Sequence, residues 1–324
     1  MGLRRAILSA FERIAASERH MDEVAAVLAR VVPLYLRGKR FPHYFPIWEE
    51  HGFHLTPVHF YQPIPDTRTL TDDLWTRDSD LVGIDLNDAA QLHLLREVFP
   101  RFQAEYEHWP TEPTDQPHEF YMPNGMFEGL DAVVLYCMIR HFRPRVILEV
   151  GSGFSSRLAA QAALHNGNSR LICIDPHAGP ALKRGFPGLA SLIEEEVQRV
   201  DLGLFRQLGS GDFLFIDSSH VVKSGGDVNY LFLEVLPRLR PGVIVHVHDI
   251  FLPRETPRYW MRDHGYFFTE QYLLQAFLTY NTEFEVLFAN SYLLRKFRDE
   301  VQAFFPGARP DDDASFWMRR KPSG

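Results

Sequence analysis

The chain has 324 residues, 45% of them hydrophobic, and a formal net charge of −8. That length holds one large α/β domain plus an appended region, with enough apolar material for a proper core. The acidic balance argues against a nucleic-acid partner, and no apolar run approaches the roughly 20 residues that span a bilayer.

The basic start is cut short by Glu12 and Arg13, so it reads as an amphipathic helix and not as a signal peptide. Ala6 argues against myristoylation of Gly2. Leu3, Ile7, Phe11 and Ile14, then Val24, Val27, Leu28 and Val31, place two helices in residues 3–37. They are a helical extension packed on the core, a cap, or the contact of a homo-oligomer. Residues 41–69 are aromatic-rich, and prolines 42, 46, 57, 63 and 65 exclude a regular helix or central strand there. The stretch reads as a substrate wall, with His59 and Tyr61 facing an acceptor, or as a loop whose aromatics glue it to the domain. Residues 86–107 have helical spacing, residues 109–123 make a polar, proline-rich linker, and residues 128–142 are a helix. Tyr121 and Asn124, just before that helix, are in place to reach a ligand; the alternative for both is turn chemistry.

Val146, Ile147, Leu148 and Val150 form a short apolar run ended by glycine, which reads as a buried parallel strand. Gly151-Ser152-Gly153 then makes a tight turn where backbone passes close to a ligand, and from Ser155 the pattern turns helical. Strand, glycine turn and helix open a nucleotide-type βαβ unit. Glu149 sits just inside the strand end, and Ser155 takes the place of a third glycine. A carboxylate there repels a pyrophosphate and suits a ligand with a cationic head. S-adenosylmethionine (SAM) carries an ammonium and a sulfonium and has no phosphate. The next strand, 171–175, ends in Asp175, 26 positions after Glu149, where an acid accepts the ribose hydroxyls of a nucleoside.

Residues 191–197 are a weaker strand with Glu194, Glu195 and Glu196 solvated, and Gln198 approaches an adenine. Strands follow at 213–217 and 243–249, with helices at 226–239 and 269–281. Segments 284–288 and 314–320 suit two late strands paired antiparallel at the sheet edge, with a helix at 291–304 between them. The fold class is α/β: a Rossmann-like, seven-stranded, mostly parallel sheet with an N-terminal helical and aromatic-loop extension. The expected division is 1–120 for the extension and 121–324 for the sheet domain. Cys137 and Cys173 lie in apolar segments and read as reduced core residues of a cytoplasmic protein.

In an open α/β sheet the carboxyl ends of the strands line the ligand crevice, so Glu149, Asp175, Asp217, His220, His248 and Asp249 converge on one mouth. Such a cluster is costly unless its members are paired, protonated or bound to a metal. Asp217, His248 and Asp249 could ligate one divalent cation, Mg²⁺ or Mn²⁺ by their carboxylates, with the histidine tilting towards Mn²⁺, Fe²⁺ or Zn²⁺. Without metal, His220 or His248 would act as general base on a hydroxyl, with Asp217 beside them. The alternative is that Asp217 and Asp249 cap helices or hold loops. His246 alternates with His248 along its strand and shares its face.

Glu149-Val-Gly-Ser-Gly-Phe-Ser-Ser, Ile174-Asp175-Pro, Phe215-Ile-Asp-Ser-Ser-His220 and His246-Val-His-Asp249-Ile-Phe together resemble class I SAM-dependent methyltransferases. More narrowly they resemble the bacterial branch with the cephalosporin-hydroxylase-like and macrolide-sugar O-methyltransferases. The segments from His59 to Asp66 and from Asp131 to Cys137 resemble that branch too, so the likeness covers roughly residues 55–290. It implies that Glu149, Gly151 and Gly153, with Ser152 and Ser155 in the same loop, hold the amino acid end of SAM, and that Asp175 holds the ribose. In metal-dependent relatives the cation is held by an aspartate after strand four and an acidic pair after strand five. Asp217 and Asp249 match, while His248 stands where those relatives carry a carboxylate.

The expected activity is methyl transfer from SAM to a hydroxyl of a small molecule such as a sugar or secondary metabolite, with or without a divalent cation. The competing readings are an NAD-dependent oxidoreductase, against which Glu149 and the missing third glycine argue, and a non-catalytic SAM-binding regulatory subunit. No nucleic-acid or membrane partner is expected.

Overall fold

The computed structural model describes Ser9, residues 18–36 and residues 41–322. The helix expected from Leu3 to Ile14 lies, Ser9 apart, outside the described residues. The chain divides into two compact units, Met1–Thr71 and Asp72–Gly324. The boundary expected after residue 120 therefore falls inside the second unit. Leu95, Phe99, Trp109 and Phe120 are buried in that unit's core, at 7% exposure or less. The linker expected at 109–123 is tied down by the last two of these, since burying an aromatic outweighs the polar residues around it.

In the first unit, α1 spans Glu18–Tyr35 with Pro33 in its last turn. A second helix, α2, runs Phe41–Glu49, where prolines led the sequence reading to exclude one. Pro42 falls in the first turn, whose N–H groups have no helical partner anyway, so only Pro46 removes a bond. Tyr44 stacks on Trp48 one turn further along, with ring centroids 6.2 Å apart. Beyond residue 50 the unit is irregular as expected, apart from the turn Thr67–Thr69 capped by Asp66.

The second unit is built on seven strands: β1 Val146–Val150, β2 Arg170–Ile174, β3 Leu189–Ile193, β4 Phe213–Ile216, β5 Ile244–Val247, β6 Phe284–Ala289 and β7 Phe316–Arg320. Their order is β3-β2-β1-β4-β5-β7-β6. Neighbours from β3 to β5 pair in parallel, and β7 enters antiparallel between β5 and β6. The expected late antiparallel pair is thus present, and the fold is the Rossmann-like α/β sheet anticipated. The helix expected at 291–304 is two, Asn290–Lys296 and Arg298–Phe304, broken at Phe297.

The pleat distributes the core over two layers. Phe213 and Phe215 of β4 join the layer containing helices α3 (Gly129–Phe142) and α4 (Phe154–Asn166), while Leu214 and Ile216 join the layer on the opposite face. Every residue of α3 from Leu130 to Ile139 is buried, Asp131 included. A helix apolar nearly all round needs cover on both sides. The sheet supplies one side and the helical residues 88–106 contribute the other. Its start is fixed by Asp313, whose Oδ1 accepts from the Leu130 N–H at 2.6 Å. Gly129 permits that approach, because a Cβ there would stand 2.5 Å from the same oxygen. Among the described residues, no helix is long and apolar enough to cross a membrane.

Candidate functional site

The strand order reverses between β1 and β4, so a crevice is expected at their carboxyl ends. A cleft of 670 Å³ lies there, lined by Gly151, Ser152, Asp175, Gln198, Asp217 and Ser218 among others. Two backbone bonds stitch its floor: the Gly151 N–H donates to the Ile174 carbonyl at 3.0 Å and the Asp217 N–H to the Val150 carbonyl at 2.9 Å. Gly151 has φ +85°, and a Cβ on it would stand 1.7 Å from the Asp217 carbonyl oxygen. Only glycine serves there. A Cβ on Gly153 would meet nothing within 4 Å, so its side faces open space.

Asp175 lines the cleft as the sequence placed it. The Ser152 hydroxyl donates to its Oδ2 at 2.5 Å and the His177 N–H to its Oδ1 at 2.7 Å. Gln198 lines the cleft, and its Oε1 is buried without a hydrogen-bond partner. Unpaired buried polar atoms are costly unless a ligand meets them. The acid at Asp175 and the unpartnered Gln198 oxygen fit a nucleoside.

Other residues named from sequence are placed differently. Glu149 is 1% exposed and is not part of the cleft's lining. It shares the α4 face of β1 with Ile147, so the pleat turns it beneath the glycine loop. There it accepts the Ser155 hydroxyl at 2.6 Å and the Cys173 thiol at 3.3 Å. Burial pushes its carboxyl up to about 7, against the lowering effect of those bonds. Ser155 is thereby also occupied, bracing α4 to β1. Asn124 is spent on a turn: its amide donates to the Tyr121 and Phe127 carbonyls, and its oxygen accepts from the Met126 and Phe127 N–H groups. Tyr121 packs edge-on against Phe154. In the first unit, His59 stacks on Phe60 and accepts the Tyr61 N–H, and the Tyr61 side is 82% exposed. His246 is a core residue, stacked on Phe215 at 4.0 Å and bonded to the Ser315 hydroxyl.

The second constellation does come together. Asp217 follows β4, His248 and Asp249 follow β5, and the ligand atoms of these three lie within 4.8 Å of one another. His220 joins them from the loop after β4, with Nε2 3.2 Å from Asp217 and 3.4 Å from Asp249. Its carbonyl accepts the Thr269 and Glu270 N–H groups at the start of helix α5, Glu270–Leu278. That docking sets Glu270 against the ring, Oε2 to Nδ1 at 2.9 Å. His248 is held likewise, with Nε2 3.1 Å from Asp131 on α3. Asp131 also accepts from the Asn290 amide and the Ala314 and Ser315 N–H groups.

Glu270 and Asp131 were not singled out as site residues from sequence. Asp131 left one signal, an acid in an otherwise apolar helix; Glu270 looked like any acid in a first helical turn.

Four carboxylates thus enclose two imidazoles. Burial would raise the Asp217 carboxyl, but His248 and His220 outweigh it and hold it well below the usual range. Burial alone would lower both imidazoles, yet Asp249 and the other carboxylates hold His220 and His248 well above the ordinary value. Asp249 is itself raised, by burial first. The donor set of two imidazoles and two carboxylates, enclosed by further negative charge, fits a divalent cation held by Asp217, His248 and Asp249.

A family model described as a methyltransferase domain matches residues 148–250. An uncharacterised protein of Archaeoglobus fulgidus is 35% identical over 161 residues, 47% of this chain and 72% of that protein. Among solved structures, the O-methyltransferase TomG of Streptomyces achromogenes, involved in tomaymycin synthesis and solved with SAM, is 16% identical. It aligns over 76% of this chain and 92% of its own, with a TM-score of 0.41. A CmcI structure with Mg and SAM is 20% identical over 67% and 83% of the two chains, with a TM-score of 0.33.

Proposed function

The chain belongs to the class I SAM-dependent methyltransferase family, and from that premise we propose that it methylates a hydroxyl oxygen of a small molecule, a sugar or secondary metabolite. The observation that carries the reading is that Asp217 belongs to two places at once. It lines the nucleoside-shaped cleft and is also a member of the histidine–aspartate cluster. The cluster that would activate the acceptor therefore stands beside the place where the methyl donor would end.

SAM supplies the methyl group as a sulfonium, so the reaction is an in-line displacement: the acceptor oxygen bonds the methyl carbon as the carbon–sulfur bond breaks. Asp175 would hold the ribose, and the Gly151–Gly153 turn the amino acid tail. Alignment by these groups converts a bimolecular encounter into a local one. The acceptor must lose its proton, and the cluster offers two means. A cation held by Asp217, His248 and Asp249 would supply a Lewis acid that lowers the hydroxyl pKa. Without a cation the carboxylates hold His220 and His248 protonated, and they become bases only as the pH climbs through those raised values.

The test uses SAM labelled in its methyl group and a panel of sugars, phenols and polyketide-type alcohols. The expected product is a labelled O-methyl ether, lost in Asp217→Asn and Asp249→Asn while S-adenosylhomocysteine binding is kept. Label on nitrogen, or both variants as active as the native chain, would sink the assignment.

A further inference from the structure

A second cleft, of 210 Å³, runs along α4 and is lined by Arg157, Gln161 and Leu164 of that helix and by His118, Phe120 and Phe186 from outside it. It shares no lining residue with the nucleoside cleft. Its walls are largely apolar. Phe120 is buried, Leu164 is exposed, and the His118 and Phe186 rings stack 7° from parallel with centroids 5.6 Å apart. Small-molecule sites have that make-up, an apolar surface with a few polar groups that fix orientation.

The polar groups of this cleft lack partners. Arg157 and Gln161 lie one helical turn apart, so they share a face of α4. Arg157 Nε and Gln161 Oε1 are both buried without a hydrogen-bond partner. The guanidinium sits over the Phe154 ring, 4.2 Å from its centroid, which offsets part of its loss of water. Burial still pulls Arg157 below its ordinary value; Tyr121 opposes this, and no carboxylate among the described residues does. Arg140, Arg254 and Arg258, by contrast, each meet a carboxylate at 2.7 Å or less. Glu119, the carboxylate in the cleft's lining, accepts the Thr114 hydroxyl at 2.5 Å. A charged donor and an amide acceptor are thus left open beside an apolar wall, and such groups are costly unless a ligand meets them.

We propose that this cleft binds a small aromatic carboxylate that also carries a hydrogen-bond donor, with the carboxylate on Arg157, the donor on Gln161 and the ring along His118 and Phe186. A planar guanidinium pairs with a carboxylate through two parallel bonds, and aromatic side chains hold a flat ring by stacking or edge contact. Residues at i and i+4 of a helix have Cβ atoms about 5–6 Å apart. That spacing suits a ring with its carboxylate and its donor on opposite ends. The ligand is a second small molecule and not the methyl acceptor, because Asp217, His220, His248 and Asp249 are all absent from this lining. The two clefts are joined through α4, whose first residue, Phe154, follows Gly153 and supports Arg157. The site stands whether or not the methyl-transfer reading does.

The test is calorimetry on the full chain with 4-hydroxybenzoate, benzoate and phenol, each with and without saturating S-adenosylhomocysteine. One 4-hydroxybenzoate per chain is expected, and it stays bound when S-adenosylhomocysteine is added. Benzoate lacks the donor and should bind several-fold more weakly, while phenol lacks the charge and should bind at least about tenfold more weakly. Arg157→Gln should cost at least about tenfold in 4-hydroxybenzoate affinity. Gln161→Leu should bring 4-hydroxybenzoate down to the affinity of benzoate and leave benzoate unchanged. The proposal is overturned by phenol bound as tightly as 4-hydroxybenzoate, by an Arg157→Gln variant that binds as the native chain does, by displacement with S-adenosylhomocysteine, or by no binding of any of the three. Should a variant fail to fold, the native chain's order of the three compounds and the competition result decide alone. A chain that ranks the compounds as stated and binds no S-adenosylhomocysteine keeps this site and loses the methyl-transfer reading.

Discussion

Gly151→Ala and Gly153→Ala differ by one methyl each, two positions apart, and should fail in opposite ways. At Gly151 the new Cβ would start 1.7 Å from the Asp217 carbonyl oxygen and must move to at least 3.0 Å, so the ends of β1 and β4 part by 1.3 Å. That opening breaks the Asp217-to-Val150 hydrogen bond, while the Gly151-to-Ile174 bond lies on the β2 side. The broken bond is worth about 1 kcal/mol net, and holding alanine at φ +85° adds about 1–2 kcal/mol. The sum is about 2–3 kcal/mol, against a total stability of about 5–15 kcal/mol for a domain. At Gly153 the Cβ meets no atom of the protein, so stability should change by less than about 1 kcal/mol. The space it enters is where the amino acid tail is placed, so S-adenosylhomocysteine affinity should fall instead. Guanidinium titration and calorimetry on both variants supply the two readouts. Equal destabilisation, or a Gly153→Ala variant that binds the ligand as the native chain does, would show that the two glycines do not have these separate roles.

Three further outcomes are expected. Glu149 titrates at about 7 in the fold against an ordinary value of 4.5. A raised acid binds more protons folded than unfolded, so stability falls as pH rises from 4.5 to about 7. The drop is about 3 kcal/mol at most, and Glu149→Gln should flatten it in denaturant titrations over that window. In metal-free protein His220 and His248 are raised above 6.5, so their stabilising contribution is complete below that pH and is lost as pH climbs through their folded values. Melting of EDTA-treated protein should therefore drop on the alkaline side of pH 6.5, and less so in His220→Gln. Phe215→Ala empties a fully buried position between His246 and Trp317 and should cost about 3–5 kcal/mol by denaturant titration.

What the sequence disclosed followed how far apart the interacting residues are. Strands β1, β4 and β5 were legible because an apolar run ended by glycine or aspartate states its own burial and its own end. Their last residues, Asp217, His248 and Asp249, came along with them, since a parallel sheet brings strand ends to one mouth. The partners that orient the imidazoles were not legible. Asp131 lies 117 positions from His248 and Glu270 lies 50 from His220, and only the packing of α3 and α5 unites them. Glu149 showed the right region and the opposite face, because a strand's pleat assigns the face and the end of the strand does not. Asn124 was an equal match for turn or ligand, and its hydrogen bonds went to the turn. The helix Phe41–Glu49 was hidden by a rule about proline that does not hold for a first turn.

We propose that the cleft between β1, β2 and β4 takes the nucleoside and amino acid of SAM. Isothermal calorimetry with S-adenosylhomocysteine is the test. One-to-one binding that Asp175→Ala abolishes, without loss of fold, is the expected result. A native chain that shows no binding, or an Asp175→Ala variant that binds as well, would contradict it.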